Sequence, residues 1–308
     1  MLFRSLGVPV PATLRCDSVE EALDRGAQLR FPVALKPRGH ALHGPTRHLL
    51  EFKVRYAESL DALGRLLATL PDGAGVPLIQ ECVRGTGICV SAVFDHGRPM
   101  VLFPYRRSRE WPLSGGVSVV RESIALDPRL EEYVVRLLSR LAWHGVAMVE
   151  FKYDEIEDRF ALMEINARFQ ASTALSLDAG LNLPHLVAQL FGCVPAGPEP
   201  RGYRTGVRER WLQGDLHALY EHFRGGSERV NLSNPRYRPP SRARAMWDFL
   251  RDFRPGTRYD EFKLYDWRPG LVEGRALLGM LANWALSPLR RLRSNPARLL
   301  RSWPVGLT

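Results

Sequence analysis

The chain has 308 residues, of which 45% are hydrophobic and 25% are charged, enough for one large or two ordinary domains with cores. This composition excludes a disordered or collagen-like protein. The longest uncharged stretch near the C-terminus, residues 276–289, has 14 residues, and a membrane-spanning helix needs about 20. We therefore predict no transmembrane helix. Because the first residues also lack a signal-peptide pattern, we predict a cytoplasmic location.

The net charge of +10 is unevenly distributed along the chain. From residue 201 onward there are 21 Lys+Arg against 10 Asp+Glu, whereas residues 1–200 have 22 against 23. The final third carries the whole excess, but it shows no DNA- or RNA-binding signature, so we expect no specific nucleic acid partner. The four cysteines, Cys16, Cys82, Cys89 and Cys193, form no CxxC pair. Their spacing predicts buried thiols rather than a zinc site or disulfides.

The first predicted elements surround a basic loop. The segment FPVALKP, residues 31–37, is a short apolar strand closed by a proline. Residues 38–48 combine glycines, arginines and histidines, which predicts a flexible loop. Leucines at helical spacing predict a helix over 58–70 with Ser59 as its cap, and PLIQECV, residues 77–83, is a strand.

The following elements form a pattern of paired strands and helices. Two strands flank the turn Asp95-His96-Gly97, and a helix over 128–145 is predicted to end at Gly145. Two more strands, 146–153 and 159–169, flank an acidic turn, and 182–192 is a helix. The order predicts an α+β fold with mainly antiparallel strands. Beyond residue 197 the composition changes, so we predict domains at 1–197 and 198–308.

Acidic side chains fall on one face of the last two strands. Alternation along a strand puts Glu164, Asn166 and Arg168 on a common face, and Glu150 with Lys152 on the preceding strand. If the turn centres near residue 157, Glu150 lies opposite Glu164. Facing carboxylates need a cation between them, and carboxylate and amide oxygens suit Mg²⁺. The alternative is a solvent-exposed strand face on which a Glu/Arg ion pair has no functional role.

Two further clusters of polar residues precede that hairpin. Arg106, Arg107 and Arg109 lie at a strand end, and guanidinium groups suit bidentate recognition of carboxylate or phosphate. We favour a contact of Arg107 and Arg109 with substrate or the γ-phosphate over a solvated basic edge strand. The loop histidines, His40, His43 and His48, have no usual metal-ligand spacing. We therefore predict no metal site in the loop.

Four segments together resemble the ATP-grasp superfamily, which includes biotin carboxylase, the carbamoyl-phosphate synthetase large subunit and D-alanine–D-alanine ligase. They are FPVALKP, LIQECVRG, VEFKYD and MEINARF, in the order and approximate spacing of the family. The resemblance covers residues from about 5 to 195. It implies two α+β lobes with nucleotide between them: a small lobe with a flap over about 30–85, and a metal-binding lobe over 86–197. The segments RRSREWPLSGGVSVVRES and GVRERWLQGDL also resemble predicted ATP-dependent carboligases.

The resemblance implies a role for each matching residue. Lys36 contacts the nucleotide phosphates, and loop 38–48 is the flap over them. Glu81 is the adenine-side acid, and the backbone of Cys82 and Val83 hydrogen-bonds the base. Glu150, Glu164 and Asn166 bind Mg²⁺, with two ions expected and Mn²⁺ as an alternative. Arg168 faces the transferred phosphate and the acyl phosphate, so Arg168 and Lys36 are the catalytic residues.

The implied activity is that of a ligase that activates a carboxylate with ATP as an acyl phosphate and joins it to an amine. A bicarbonate- or carbamoyl-type carboligase and a noncatalytic ATP-binding or membrane-associated scaffold are the alternatives. The family normally begins with a separate domain, but this chain begins at MLFRSLGVPVP, inside the helix that follows that domain. Three explanations remain open: a truncated start, a partner chain that supplies the domain, or lost activity.

The basic C-terminal region allows two interpretations. An apolar stretch is followed by arginines, with six Arg from Arg275 onward and no acid after Glu273. Such a segment either packs as an amphipathic helix on the preceding domain or binds an anionic membrane surface. The second interpretation makes the protein peripheral to the membrane.

Overall fold

The computed structural model describes residues 5–38, 42–43, 49–50, 54–70, 75–113, 115–195, 197–198, 202–224, 239–263 and 266–291. The chain forms two compact units, Met1–Arg258 and Tyr259–Thr308. The strands are β1 Thr13–Leu14, β2 Val33–Lys36, β3 Leu42–His43, β4 Leu49–Leu50, β5 Arg55–Ala57, β6 Leu78–Glu81, β7 Thr86–Asp95, β8 Arg98–Trp111, β9 Val117–Ser123, β10 Gly145–Asp154, β11 Arg159–Asn166, β12 Arg208–Arg210 and β13 Thr257–Tyr259. The helices are α1 Val19–Gly26, α2 Leu60–Leu67, α3 Pro128–Arg140, α4 Thr173–Asp178, α5 Leu183–Leu190, α6 Leu212–Phe223, α7 Arg242–Arg251 and α8 Trp267–Arg291.

A four-stranded sheet in the order β1-β6-β2-β5 forms the N-terminal part of the first unit. Its strand pairs are antiparallel, and Leu35 of β2 lies opposite Ile79 of β6. Helices α1 and α2 cover the sheet, and Leu63 of α2 packs into the same core as Leu35 and Ile79. Ser59 accepts a hydrogen bond from the Ala62 amide and caps α2, as the sequence predicts.

A seven-stranded sheet in the order β11-β10-β7-β8-β9-β12-β13 forms the larger part of the first unit. Its central strand β7 is buried on both faces. Val90 and Ala92 pack with the apolar stripe of α3, whereas Cys89 and Val93 pack with α4 and α5. This burial explains why β7 reads as a continuous apolar run rather than an alternating one. The expected α+β class with antiparallel strands is confirmed.

Helix α3 ends earlier than the sequence predicts. It stops at Arg140 rather than continuing to Gly145. Ala142 adopts a left-handed conformation with φ of 46°, its amide donates to Ser139 O, and the Trp143 amide donates to Leu138 O. These bonds close the helix in the manner usually associated with glycine. Gly145, also left-handed, begins β10 instead.

The first compact unit extends past the composition change at residue 197. Strand β12 pairs with β9, and Arg210 lies opposite Val120. Helices α6 and α7 follow β12 and precede the end of the unit at Arg258. Residues 202–258 therefore belong to the same compact unit as the larger sheet.

The cysteines differ in burial. Cys16 and Cys89 are buried as expected, but Cys82 is half-buried and Cys193 is exposed, and none of these four described cysteines forms a disulfide. In the second unit, α8 has 25 residues. Within the described part of the chain, no helix combines the length and apolar character that crossing a membrane requires.

Candidate functional site

Two glutamates face each other across the β10–β11 hairpin. Glu150 pairs with Glu164, as the sequence predicts, and Met148 pairs with Asn166. A β-bulge then shifts the register, so Phe151 pairs with Leu162. Leu162 packs in the core beneath α3, so the bulge allows Glu164 to lie on the opposite face, beside Glu150. The bulge thus separates core residues from the acids.

Arg107 of β8 neutralises one of these acids. Its guanidinium donates to the Glu150 carboxylate and to Gly116 O, and it lies 3.0 Å from Glu110 Oε1. A Cβ on Gly87 would come within 2.9 Å of Arg107 Cδ. The arginine side chain therefore crosses over Gly87, where a larger residue would obstruct it.

Burial and charge shift the ionisation of the site. Burial raises the pKa of the Glu150 carboxyl, Arg107 opposes the shift, and Glu164 adds to it. Burial also lowers the pKa of the Lys36 ammonium, and the negative charges of Glu164 and Glu150 oppose that shift. Lys36, at the end of β2, is therefore within electrostatic reach of both acids. The two sheets bring a cation and two carboxylates to one place.

A cavity of about 200 Å³ contains the predicted metal-binding and catalytic face. Glu150, Glu164, Asn166 and Arg168 all line it, together with Arg107. Asn166 Nδ2 donates to Glu164 Oε1 at 2.7 Å, and Arg168 is exposed, with Nη1 donating to Phe169 O at 3.2 Å. The side chain of Arg168 therefore has room to turn toward a ligand.

Arg109 does not share the position of Arg107. In the β8–β9 pairing, a bulge lies between Arg107 and Arg109. It breaks the strand alternation that would place both side chains on one face. Arg109 donates to both carboxylate oxygens of Asp215 at 2.7 Å and lies 2.6 Å from Asp252. These buried acids occupy its guanidinium. Arg109 joins β8 to α6 and the end of α7. It also lines the larger cavity with Arg107, and the contact of both arginines with substrate or the γ-phosphate stays a prediction.

The chain was compared with known families and solved structures. Residues 76–214 match the profile of a family described as ATP-grasp in the biosynthetic pathway with Ter operon. The biotin carboxylase domain of Hydrogenobacter thermophilus 2-oxoglutarate carboxylase, in complex with MgADP, ADP and bicarbonate, is similar in fold, with a TM-score of 0.52 and 16% identity over 67% of this chain and 47% of that chain. The chain has the ATP-grasp fold.

A second solved structure has the same fold. Campylobacter jejuni biotin carboxylase, in a β,γ-ATP complex, gives a TM-score of 0.51 and 17% identity over 67% of this chain and 47% of that chain. The chain thus spans about half the length of these solved structures. No curated protein sequence matches it.

The segment expected to hold adenine connects the two sheets of the ATP-grasp fold. The Glu81 carboxylate accepts a hydrogen bond from the Arg30 amide at 2.8 Å, and the Cys82 amide donates to Pro32 O at 3.0 Å. The Cys82 amide is therefore already hydrogen-bonded within the chain. The carbonyl of Cys82 and the backbone of Val83 remain the predicted contacts.

The predicted flap falls mostly outside the described residues. Residues 39–41 and 44–48 are not described, and neither are the side chains of the short antiparallel pair formed by β3 and β4. The prediction of mobility for residues 38–48 stays a prediction.

A larger cavity of about 500 Å³ adjoins the acids. Arg107 lines both cavities, Lys152 and Gly87 line the larger one, and its far wall comes from α6 and α7. The sequence analysis did not predict this wall, because it placed residues 198–308 in a separate domain, although the segment GVRERWLQGDL contains Asp215 of the wall. It also missed Arg121, which is buried beside the smaller cavity and paired with Glu209 at 2.9 Å. The only sequence signal was a charged residue inside the apolar strand VSVVRES.

Proposed function

We propose that this ATP-grasp protein uses ATP to activate a carboxylate as an acyl phosphate and joins it to an amine. The observation that carries the proposal is the facing pair Glu150 and Glu164, with Asn166 beside them and Lys36 within electrostatic reach. Glu150 is half-buried and Glu164 is exposed, and facing like charges of which one is partly desolvated repel each other unless a cation lies between them. A site for metal-bound phosphate explains the arrangement.

The donor set of the acid pair fits magnesium. Two carboxylates and an amide provide hard oxygen ligands, while no thiol or imidazole lines the described part of the cavity except the buried Cys89 thiol. Glu150, Glu164 and Asn166 would hold the ion, and Mn²⁺ would suit the same oxygens. Bound Mg²⁺ would neutralise phosphate charge during transfer.

The cationic side chains of this chain have separate tasks in the proposal. Lys36 presents a partly desolvated ammonium to the phosphates, where its charge acts more strongly than it would in water. Arg168 turns from its exposed position to the transferred phosphoryl group. Arg107 fixes the orientation of Glu150 and keeps this carboxylate compatible with burial.

The proposed reaction has two balanced steps. A carboxylate oxygen of the substrate attacks the γ-phosphorus, the bond to the β,γ-bridging oxygen breaks, and ADP leaves. The amine nitrogen then attacks the acyl carbon, loses a proton, and inorganic phosphate leaves with the original carboxylate oxygen. The acids, Lys36 and Arg168 supply orientation and charge, which are the principal requirements of phosphoryl transfer.

A bicarbonate-dependent reaction is the second candidate. The H. thermophilus biotin carboxylase domain, which has a similar fold, is a complex with bicarbonate. Bicarbonate is itself a carboxylate nucleophile toward phosphate, so the same residues would serve it. The two reactions differ in the substrate that triggers ADP release.

Oxygen-isotope transfer tests the proposal. The purified protein is incubated with Mg-ATP, pools of ¹⁸O-labelled carboxylic acids and pools of amines, and the released phosphate is analysed by mass spectrometry. We expect one ¹⁸O in each phosphate, with release dependent on both pools. Arg168→Gln should reduce this release strongly, whereas Arg159→Gln, which removes an exposed ion pair with Glu157 at the turn of the hairpin, should not. ADP release that requires bicarbonate instead would support the second candidate. Release of unlabelled phosphate that depends on neither the carboxylic acids nor bicarbonate would contradict both.

A further inference from the structure

A cluster of two histidines and one aspartate lies at the end of the larger sheet away from the acids. Asp95 and His96 form the turn between β7 and β8, and His144 precedes β10. Asp95 is eight residues along β7 from Gly87, so the cluster is about 26 Å from the row that carries Arg107. It plays no part in the proposed ligase chemistry.

The three side chains direct their ligand atoms toward a shared point. One nitrogen of each imidazole and an Asp95 carboxylate oxygen lie within 4.8 Å of one another. His96 Nδ1 is 2.7 Å from Asp95 Oδ1, and His144 Nδ1 is 3.3 Å from the same oxygen. At zinc bond lengths of about 2.0–2.1 Å, ligand atoms at tetrahedral angles lie about 3.3–3.4 Å apart. The His144–Asp95 separation has this value, and small side-chain rotations would give the others.

An unsatisfied nitrogen supports the same conclusion independently. His144 Nδ1 is buried and makes no hydrogen bond to any part of the chain that the structure describes, despite its proximity to Asp95. The imidazole packs edge-on against Phe191 and stacks with His96 at a centroid distance of 4.0 Å. These contacts fix its ring with the nitrogen toward the cluster. A buried nitrogen without a hydrogen bond is costly, and a metal ion would satisfy it.

We propose that Asp95, His96 and His144 bind one divalent transition-metal ion of the zinc class. Two imidazoles and one carboxylate select Zn²⁺, Co²⁺ or Ni²⁺ over Mg²⁺, which prefers an all-oxygen set. The fourth position takes water, because His96 is exposed. The ion would tie the β7–β8 turn to the segment before β10, so its role is structural. The proposal does not depend on the ligase function.

Binding is tested on the full, untagged chain with excess Mg²⁺ to occupy the acids. Co²⁺ is titrated while its visible absorption is recorded, and Zn²⁺ is titrated by calorimetry. We expect one ion per chain with the absorption of a tetrahedral site. Zn²⁺ should raise the Tm of the wild type. His144→Ala and Asp95→Asn should each weaken affinity at least about tenfold and abolish the Tm increase.

Two control variants distinguish metal binding at this cluster from binding at other histidine or cysteine side chains. His185→Ala removes an exposed histidine on α5, and Cys193→Ser removes the exposed thiol. Both should bind like wild type. Retained binding in His144→Ala and Asp95→Asn, or weaker binding only in the controls, would overturn the assignment. So would the absence of binding at about 100-fold molar excess of Zn²⁺ in the folded wild type. A structural role of the cluster without metal would lower the Tm of the variants and leave the wild type insensitive to Zn²⁺.

Discussion

Glu150 is the residue whose ionisation should control metal binding at the acid pair. Burial raises its carboxyl pKa above the ordinary glutamate value, and Glu164 adds to the effect. A metal ion must displace the proton from this carboxyl. Because a raised pKa means that the proton binds more tightly, affinity should fall with decreasing pH, starting above the usual range for glutamate.

This prediction is measured with Mn²⁺ as the probe, by electron paramagnetic resonance from about pH 8 down to about pH 5. Wild-type affinity should decline over this interval, and Glu150→Gln should bind more weakly with a flatter profile. Affinity that stays constant until the usual range for glutamate, around the reference pKa of 4.5, would contradict the raised pKa.

The rate at which Cys82 is alkylated should show whether nucleotide binds beside the segment that connects the two sheets. Burial raises the pKa of the Cys89 thiol to about 12, and Cys16 is also buried, so neither should react with iodoacetamide before unfolding. Exposed Cys193 should react first, and half-buried Cys82 more slowly. Mg-ATP should slow modification at Cys82 and leave Cys193 unchanged, as measured by peptide mass spectrometry. Equal protection at both thiols, or none at Cys82, would rule out nucleotide beside Cys82.

The positions of several site residues could be predicted from the sequence, because strand alternation and hairpin pairing depend only on residues that are close together in the chain. The pairing of Glu150 with Glu164 follows from a turn centred near residue 157. The ion pairs of Arg109 could not be predicted, because its partners, Asp215 and Asp252, are more than 100 residues away and the bulge beside it has no clear sequence signal. Long-range ion pairs and bulges depend on tertiary packing, which one sequence does not display.

At the scale of elements, buried ion pairs join α6 and α7 to the larger sheet. Asp215 is buried and accepts hydrogen bonds from Arg109 and from Arg210 Nε at 2.7 Å. Arg210 is itself fully buried between Phe249 and Phe253, with both rings 4.3 Å from its guanidinium carbon. The helices that form the wall of the larger cavity therefore depend on charge compensation by Asp215.

Asp215→Asn should destabilise the protein by about 3–5 kcal/mol, because it leaves the buried Arg210 and the half-buried Arg109 with less neutralising charge. Asp248→Asn, which alters a more exposed pair with Arg244 on α7, should cost less than about 1 kcal/mol. Urea unfolding compares the two variants. An equal decrease in the free energy of unfolding for both variants would mean that the buried ion-pair network stabilises the protein no more than a surface ion pair does.

Element types were predicted well and element ends less well. Apolar spacing located α2, α3 and the β7–β8 hairpin. The end of α3 was misplaced because Ala142 adopts the left-handed conformation that sequence reasoning reserves for glycine. The packing of Gly97 close to Ser139 and Ala142 shows that this turn is held by tertiary contacts.

At the scale of the whole molecule, a chain shortened to end at Arg258 should keep the first compact unit intact. We expect it to unfold cooperatively and bind Mg-ATP like the full chain. It should lose salt-sensitive binding to anionic vesicles, if the arginines beyond Arg275 bind such surfaces at about 1 kcal/mol each. Calorimetry and vesicle co-sedimentation measure both properties.

A chain ending at residue 197 provides the contrast. It lacks β12 and Glu209, which pairs with buried Arg121, so it should aggregate or unfold. If the chain that ends at Arg258 lost ATP binding, the first unit would require the second unit to bind ATP. If both the full and the shortened chains bound vesicles equally, the basic segment would not be the membrane contact. The composition could not indicate that the first compact unit ends at Arg258. Arginines before this position form ion pairs within the fold, and a count of charged residues does not distinguish them from the arginines that follow.

The central claim is that the facing acids form the metal-nucleotide site, and the dependence of ATP affinity on Mg²⁺ tests it most directly. Calorimetry measures ATP binding with and without Mg²⁺ for wild type, Glu164→Gln and Glu157→Gln, an exposed acid in the turn of the same hairpin. We predict that Mg²⁺ strengthens ATP binding at least about tenfold in wild type and in Glu157→Gln, and has little effect in Glu164→Gln. If Mg²⁺ strengthened binding equally in Glu164→Gln, the acid pair would not be the metal site and the account would be wrong.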